Sequence, residues 1–361
     1  MLTLILVLLV FSVLILIHES GHLVAAKRAG VEVETFSLGF GKRLWGKKVG
    51  GTDYRISMFP FGGYVKMAGE DPSEATGREN ELSSKSIGQR FSVLVAGALT
   101  NYVFAFILFS IIFMIGIPTL SNKVGEVLPG YPAEKSGIKV GDQILSIEGV
   151  KTEYWEDIVG AIKLQSKKHK TLKVEMIRGN KMSEMEITPD ISTVTNVFGQ
   201  TISRPMIGIA PKNEILSVSY DPVRAMYFGG KRLISLTAMT YKGIWLLITG
   251  GMPVKESVSG PIGIAHLMSQ AARLGVVPLL VITAHVSMAL AIFNLLPFPV
   301  LDGGHIIFLL FEKLRGRPFS VKVQDVITQI AVVALISFAL FVSWQDVVKF
   351  TPVGKMVNRD K

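Results

Sequence analysis

Residues 2–17 read LTLILVLLVFSVLILI, apolar except for Thr3 and Ser12, and comparable runs recur at 92–117, 277–300 and 326–345. About 20 such residues cross the hydrocarbon of a bilayer as a helix. A segment in lipid must also satisfy its own backbone hydrogen bonds, which leaves helices as the solution for runs of this kind. The pattern therefore predicts a polytopic α-helical membrane protein with four transmembrane helices. Composition agrees, with 49% hydrophobic and only 18% charged residues, against about 25% charged in soluble domains. The first run has no basic stretch before it and no small-residue cleavage site after it, so residues 1–24 read as a retained helix rather than a signal peptide. Cysteine is absent, which excludes disulfides, thiolate ligands and a cysteine nucleophile. The net charge of +10 fits the excess of basic residues on the cytoplasmic side of membrane proteins, and no nucleic-acid partner is expected.

The polar segments between these runs set the expected organisation. Residues 25–91 are Gly-rich and basic, which places them on the cytoplasmic side and the N-terminus outside. Within them, 54–67 reads as two short strands around Pro60, Phe61, Gly62 and Gly63, a hairpin. Residues 121–212 read as a small external α+β domain. Trp155, Ile158, Val159 and Ile162 mark an amphipathic helix, and Arg178-Gly179-Asn180-Lys181 marks a hairpin turn. Residues 223–265 form an amphipathic or interfacial helical region; its first part, 223–250, is apolar but interrupted by Lys231, Arg232 and Lys242, a pattern that fits either a further span or an interfacial amphipathic helix. Residues 277–304 and 326–345 are expected to form the third and fourth spans.

His18-Glu19-Ser20-Gly21-His22 closes the first apolar run. On a helix, histidines at i and i+4 share one face and can share one zinc ion, with Glu19 beside them to take a proton from water. Ionisable groups at the end of a membrane helix are expensive, and a functional reading is their default. A hydrolytic zinc site normally adds a third protein ligand. Asp302, flanked by Gly303 and Gly304 at the end of the 277–300 run, is the favoured candidate. His305 competes, His285 and His266 are weaker, and His169 lies in a lysine-rich surface stretch. If 223–250 only lies on the membrane, the 277–300 span runs inward, and Asp302 reaches the depth of His22.

With these motifs assembled, the sequence resembles the site-2 protease family of intramembrane zinc metalloproteases, in its bacterial regulator-of-sigma-E branch. The likeness rests on the His18–His22 motif, on residues 36–41, 60–66 and 97–101, and on 259–263 and 294–304. It implies Zn²⁺ held by His18, His22 and Asp302, with Glu19 as catalytic acid and base. It implies that 54–67 is a membrane-associated β-hairpin holding substrate as an added strand through Tyr54, Phe61, Gly62, Gly63 and Tyr64. Asn294, Pro297 and Pro299 would line the substrate path. Residues 124–150 are similar to a PDZ domain, with room for only one. Ala98 stands where the family usually has proline.

The expected activity is endoproteolysis within the bacterial inner membrane. The expected substrates are single-span membrane proteins such as trimmed anti-sigma factors or signal-peptide remnants. The PDZ domain would either bind a peptide by strand addition or act as a spacer. Two other classes compete: a metal permease using intramembrane His and Asp, and a silent membrane scaffold that presents the PDZ domain. Glu19 separates the first of these from a protease, because a permease needs no general base between two ligands. The intact His, Glu, His and Asp set argues against the second.

Overall fold

The computed structural model describes residues 2–71, 73, 75–196, 198–253 and 257–350. Residues 113–221 form one compact unit, and the segments before and after them form the other.

In the membrane unit, four helices among the described residues are long and apolar enough to cross a bilayer. They are α1 (Leu2–Arg28), α2 (Ile87–Ile115), α7 (Val276–Asn294) and α9 (Val321–Phe350). Helix α1 ends with Lys27 and Arg28 in its last turn, where cations favour the negative end of the helix dipole. Gly30 follows with φ 69°. α1 and α2 approach closely because the contact is built from small residues. A Cβ on Gly21 would overlap the carbonyl of Ala96, and Thr100 Oγ1 donates across to Ile17 O at 2.9 Å. Small residues are the usual device for bringing helices together where lipid offers no hydrophobic gain.

The 277–304 segment is not one element. α7 stops at Asn294, and α8 (Asp302–Arg315) begins afresh at the aspartate. Pro297 and Pro299 lie between, and proline removes the N–H that a continuing helix would need. The 223–265 region divides into α5 (Pro222–Ile248) and α6 (Pro261–Leu274).

The polar segment after α1 forms β1 (Val33–Val49) and β2 (Thr52–Met67), an antiparallel pair. Their turn is at Gly50-Gly51, not at residues 60–63 as the sequence suggested. Both glycines have positive φ, 56° and 87°, which a tight hairpin turn demands and other residues resist. Residues 60–63 instead lie where β2 changes register. The first half of β1 pairs with both halves of β2: Leu38 is registered to Gly63 and to Ile56, and Phe36 to Val65 and to Tyr54.

The second half of β2 runs alongside α1. A Cβ on Gly63 would sit 3.7 Å from the Ile15 side chain, Val65 N–H donates to Glu19, and Met67 packs in one apolar cluster with Leu23 and Ala26. Each step of two strand residues, about 6.6 Å, matches a step of four helix residues, about 6 Å.

In the other unit, β5 (Gln143–Ile147), β6 (Val150–Lys151), β7 (Leu172–Arg178) and β8 (Lys181–Ile187) form a sheet in the order β6-β5-β7-β8. Helix α4 (Trp155–Gln165) adds Ile158, Ala161 and Ile162 to a core with Ile144, Ile147, Leu172, Val174 and Met176. Buried Asp142 accepts from Arg178 Nε at 2.8 Å and from Lys139 N–H at 2.8 Å. Burial alone would raise its pKa, but these donors outweigh it and hold the carboxyl below the usual range.

After β2, buried Glu81 gathers the loop at 76–78. Its carboxylate accepts from Thr76 Oγ1, Thr76 N–H, Gly77 N–H and Arg78 Nε. The Thr76 hydroxyl and the accompanying donors pull its pKa down to about 2. A carboxylate depressed in the folded state stabilises the fold above its unfolded pKa of about 4.3. That contribution should be lost as pH falls through about 2. Hydrogen exchange is therefore expected to show protected Thr76 and Gly77 amides at neutral pH and progressive loss between those limits. Glu81→Gln should reduce the protection at neutral pH.

Candidate metal and catalytic site

Three ligand atoms from two distant parts of the chain converge at the end of α1. His18 Nε2 and His22 Nε2 lie 3.2 Å apart. Asp302 Oδ2 is 3.3 Å from the first and 3.5 Å from the second. The helix puts both imidazoles on one face, and the break after α7 lets Asp302, at the start of α8, face them. Gly303 and Gly304 permit this break to close tightly. A Cβ on either would overlap the backbone of residues 295–299.

These separations suit a tetrahedral ion. Donors at about 2.0–2.1 Å from a zinc centre lie roughly 3.3 Å from one another. Asp302 Oδ2 is a buried oxygen with no hydrogen-bond partner among the described residues, as expected of an atom reserved for a cation. His18, His22 and Asp302 thus fit a zinc ion.

The surrounding groups orient the ligands. His22 Nδ1–H donates to Val93 O at 2.8 Å, which leaves Nε2 free for a metal. The Asn294 carboxamide lies 3.5 Å from His18 Nδ1. A Cβ on Gly97 would overlap His22 Nε2 and crowd the His18 ring, so this glycine makes room for both imidazoles. Glu19 Oε2 accepts from Val65 N–H at 3.1 Å.

A cavity of about 680 Å³ opens from this cluster. One wall is Tyr64, Val65 and Met67 of β2; His305, Phe308 and Leu309 of α8 line it too. Arg90 and Glu312 also line it and form a bidentate ion pair linking α2 to α8.

Of the other expected residues, Gly62, Gly63 and Tyr64 lie on the β2 segment beside α1, and Phe40 stacks on Tyr64. The side chain of Phe61 lies outside the described residues. Tyr54 is held elsewhere, its hydroxyl accepting from Lys27 Nζ at 2.7 Å. Pro297 and Pro299 shape the loop before α8 without lining the cavity. His305 lines the cavity outside the ligand cluster, His285 is bound to Val281 O, and His266 is bonded to Gln270. The roles of Val93 O, Arg90 and Glu312 were not legible in the sequence, because each depends on a distant partner. Asn101 supplies a backbone carbonyl to Ser287.

Two histidines and an aspartate that could hold a metal ion, with a carboxylate beside them at the end of a long apolar helix, form a donor set of the kind metallohydrolases use. The comparisons with known proteins give the family. The family described as Peptidase family M50 matches residues 6–338, and the chain belongs to that family. A Campylobacter jejuni protein described as a zinc metalloprotease is 34% identical over 342 residues, 94% of this chain and 91% of that protein. The regulator of sigma-W protease RasP of Bacillus subtilis is 28% identical, covering 96% of this chain and 98% of its own length. The regulator of sigma-E protease RseP of Salmonella typhimurium is 29% identical, covering 91% and 95%. Two solved PDZ domains, from Listeria monocytogenes and Listeria innocua, are 21% and 23% identical over 26% and 27% of this chain and 90% and 96% of their own length, each at a TM-score of 0.20. The chain is a membrane protease whose metal is zinc.

Gly97→Ala tests the packing at the ligands. It should lower zinc affinity at least tenfold, in the range seen for disturbed metal surroundings. Zinc per chain against free zinc concentration measures it. A Ser92→Ala change, on the same helix and at an exposed position, should leave zinc content unaltered.

Proposed function

We propose that the chain is an intramembrane endopeptidase that cleaves the spanning segments of single-span membrane proteins. Remnants of trimmed anti-sigma factors or of signal peptides are the substrates this reading favours. The observation that carries it is the position of Glu19, which lies next to the histidine and aspartate cluster and touches the edge of a β-strand.

In this reading His18, His22 and Asp302 hold the zinc. When bound, zinc supplies a Lewis acid that polarises a carbonyl and makes water a stronger acid. Glu19 takes the proton of the attacking water and returns it to the leaving nitrogen. Asn294 and Val93 O keep the two imidazoles turned toward the ion. A membrane helix hides its carbonyls in its own hydrogen bonds, so the substrate has to unwind before it can be cut. The second half of β2 offers a rail for the unwound segment, which adds as a strand. Gly62 and Gly63 let it approach, and Tyr64 borders the cavity that receives it. Pro297 and Pro299 act by setting the loop that presents Asp302.

The unit at 113–221 is read as one PDZ domain outside the cytoplasm. It either takes an extended peptide or keeps bulky substrates away. The N-terminus would then be outside and the metal site toward the cytoplasmic face of the inner membrane, with α5 not crossing it. The chain contains no cysteine, so single cysteines report this directly. An impermeant thiol reagent applied from outside should label Val150→Cys and spare Trp45→Cys and Gly316→Cys; the reverse pattern inverts the topology.

Glu19→Gln is the test of the chemistry. It should keep zinc and lose cleavage of a single-span substrate by about 10² to 10⁴ in rate. Cleavage that survives in this variant, or after chelation, would return the permease reading.

A further inference from the structure

The edge of β2 that borders the metal site is already occupied. Along a strand, successive N–H groups point to opposite sides, so Gly63, Val65 and Met67 share one edge. Their partner β1 lies on the other side, through Leu38, Phe36 and Val33. On the free edge, Val65 N–H donates to Glu19 Oε2 at 3.1 Å, and Met67 N–H donates to Glu70 Oε2 at 3.1 Å. Glu70 lines the same cavity as Val65 and Met67. Two carboxylate oxygens therefore stand on alternate amides, where the carbonyls of an added strand would stand. Unpaired strand edges invite unwanted pairing, and proteins blunt them with charged side chains.

We infer that Glu19 and Glu70 are built-in stand-ins for substrate, and that a substrate strand docks by displacing both from the β2 edge. The inference rests on the strand-docking reading above and adds an order of events. While the edge is empty, Glu19 is tethered to Val65 N–H. When a substrate carbonyl takes that N–H, the Glu19 carboxylate is released beside the ligand cluster, next to the bond to be cut. Binding in the correct register thus frees the base. Glu70 is a positioning residue: it touches no reacting atom and guards the next amide along. An extended segment that pairs with Val65 alone would leave Glu70 in place, whereas one that pairs with both amides is fixed in register.

The bland alternative makes Glu70 a cap for the turn after β2, since Glu70 N–H also approaches Met67 O at 3.3 Å. The two roles differ in what they do to substrate binding. The probe is a fluorescent single-span peptide with a Gly-Pro break at mid-helix, bound to the full-length zinc-loaded protein in detergent. Glu19→Ala and Glu19→Gln are both unable to cut, so affinity can be read without turnover. Gln keeps an acceptor for Val65 N–H and Ala does not. Loss of the competing hydrogen bond that Gln retains, worth about 1 kcal/mol, should make the Ala variant bind about five- to tenfold tighter than the Gln variant. Val65→Pro, which removes the amide, should lose binding while retaining zinc. In the otherwise intact enzyme, Glu70→Ala should lower KM more than it changes kcat, and Glu70→Gln should restore KM.

Equal affinity of the two Glu19 variants, with binding still lost in Val65→Pro, would overturn the displacement and leave strand docking intact. Binding that survives in Val65→Pro would overturn strand docking itself. A Glu70→Ala enzyme with a lowered melting temperature and an unaltered KM would reduce Glu70 to a turn cap.

Discussion

Two imidazoles and a carboxylate held within 4.8 Å of one another at the end of a spanning helix form an arrangement that lipid cannot tolerate unaided. Every polar atom there has to be supplied with a partner by the protein itself. The rest of the membrane unit serves that requirement. Val93 O satisfies His22, the glycine contact between α1 and α2 makes room for the rings, and the break between α7 and α8 delivers Asp302. The sheet after α1 then closes the exposed flank and brings a backbone amide to Glu19.

The cluster is also an electrostatic unit. Asp302 contributes a formal negative charge to the cluster, which a divalent cation more than offsets. The Arg90 and Glu312 pair, side chains 19% and 17% exposed, lines the same cavity without adding net charge. Such a paired, hydrogen-bonded arrangement is a way to place charge in a partly dry site without an uncompensated ion. The acidic groups left facing the cavity are those at the ligand cluster and on the strand edge.

How much of this could be read from the sequence follows from the range of each interaction. The spans, the His18 and His22 pair and the candidacy of Asp302 were legible, because helix periodicity and hydropathy are local. The amphipathic face of α4 and the Arg178–Lys181 turn were legible for the same reason. The hairpin turn was misplaced, since Pro60 and Gly62-Gly63 are as strong a local signal as Gly50-Gly51. Only the pairing of Lys48 with Asp53 and of Leu38 with Gly63 decides between them. The unbroken reading of 277–304 failed because apolarity continued past the prolines. Val93 O and the tether between Glu19 and Val65 join residues 71 and 46 positions apart, beyond the reach of any window along the chain.

The side-by-side run of β2 and α1 acts as a vernier, two scales of different pitch locked at three marks. Inserting one residue between Gly63 and Met67 would turn the intervening side chains to the opposite face. One inserted between Ile15 and Leu23 would rotate the helix by about 100° and carry the histidines away from Asp302. Neither slip repairs the other. Length variation across relatives should therefore be absent from both stretches and collect instead at the outer hairpin around Gly50-Gly51, where added residues extend the ribbon without moving a mark. The spacing from the second glycine of the 60–66 motif to Met67 and from Ile15 to Leu23 becomes a ruler by which distant members of the family can be aligned even where their residue identities have drifted.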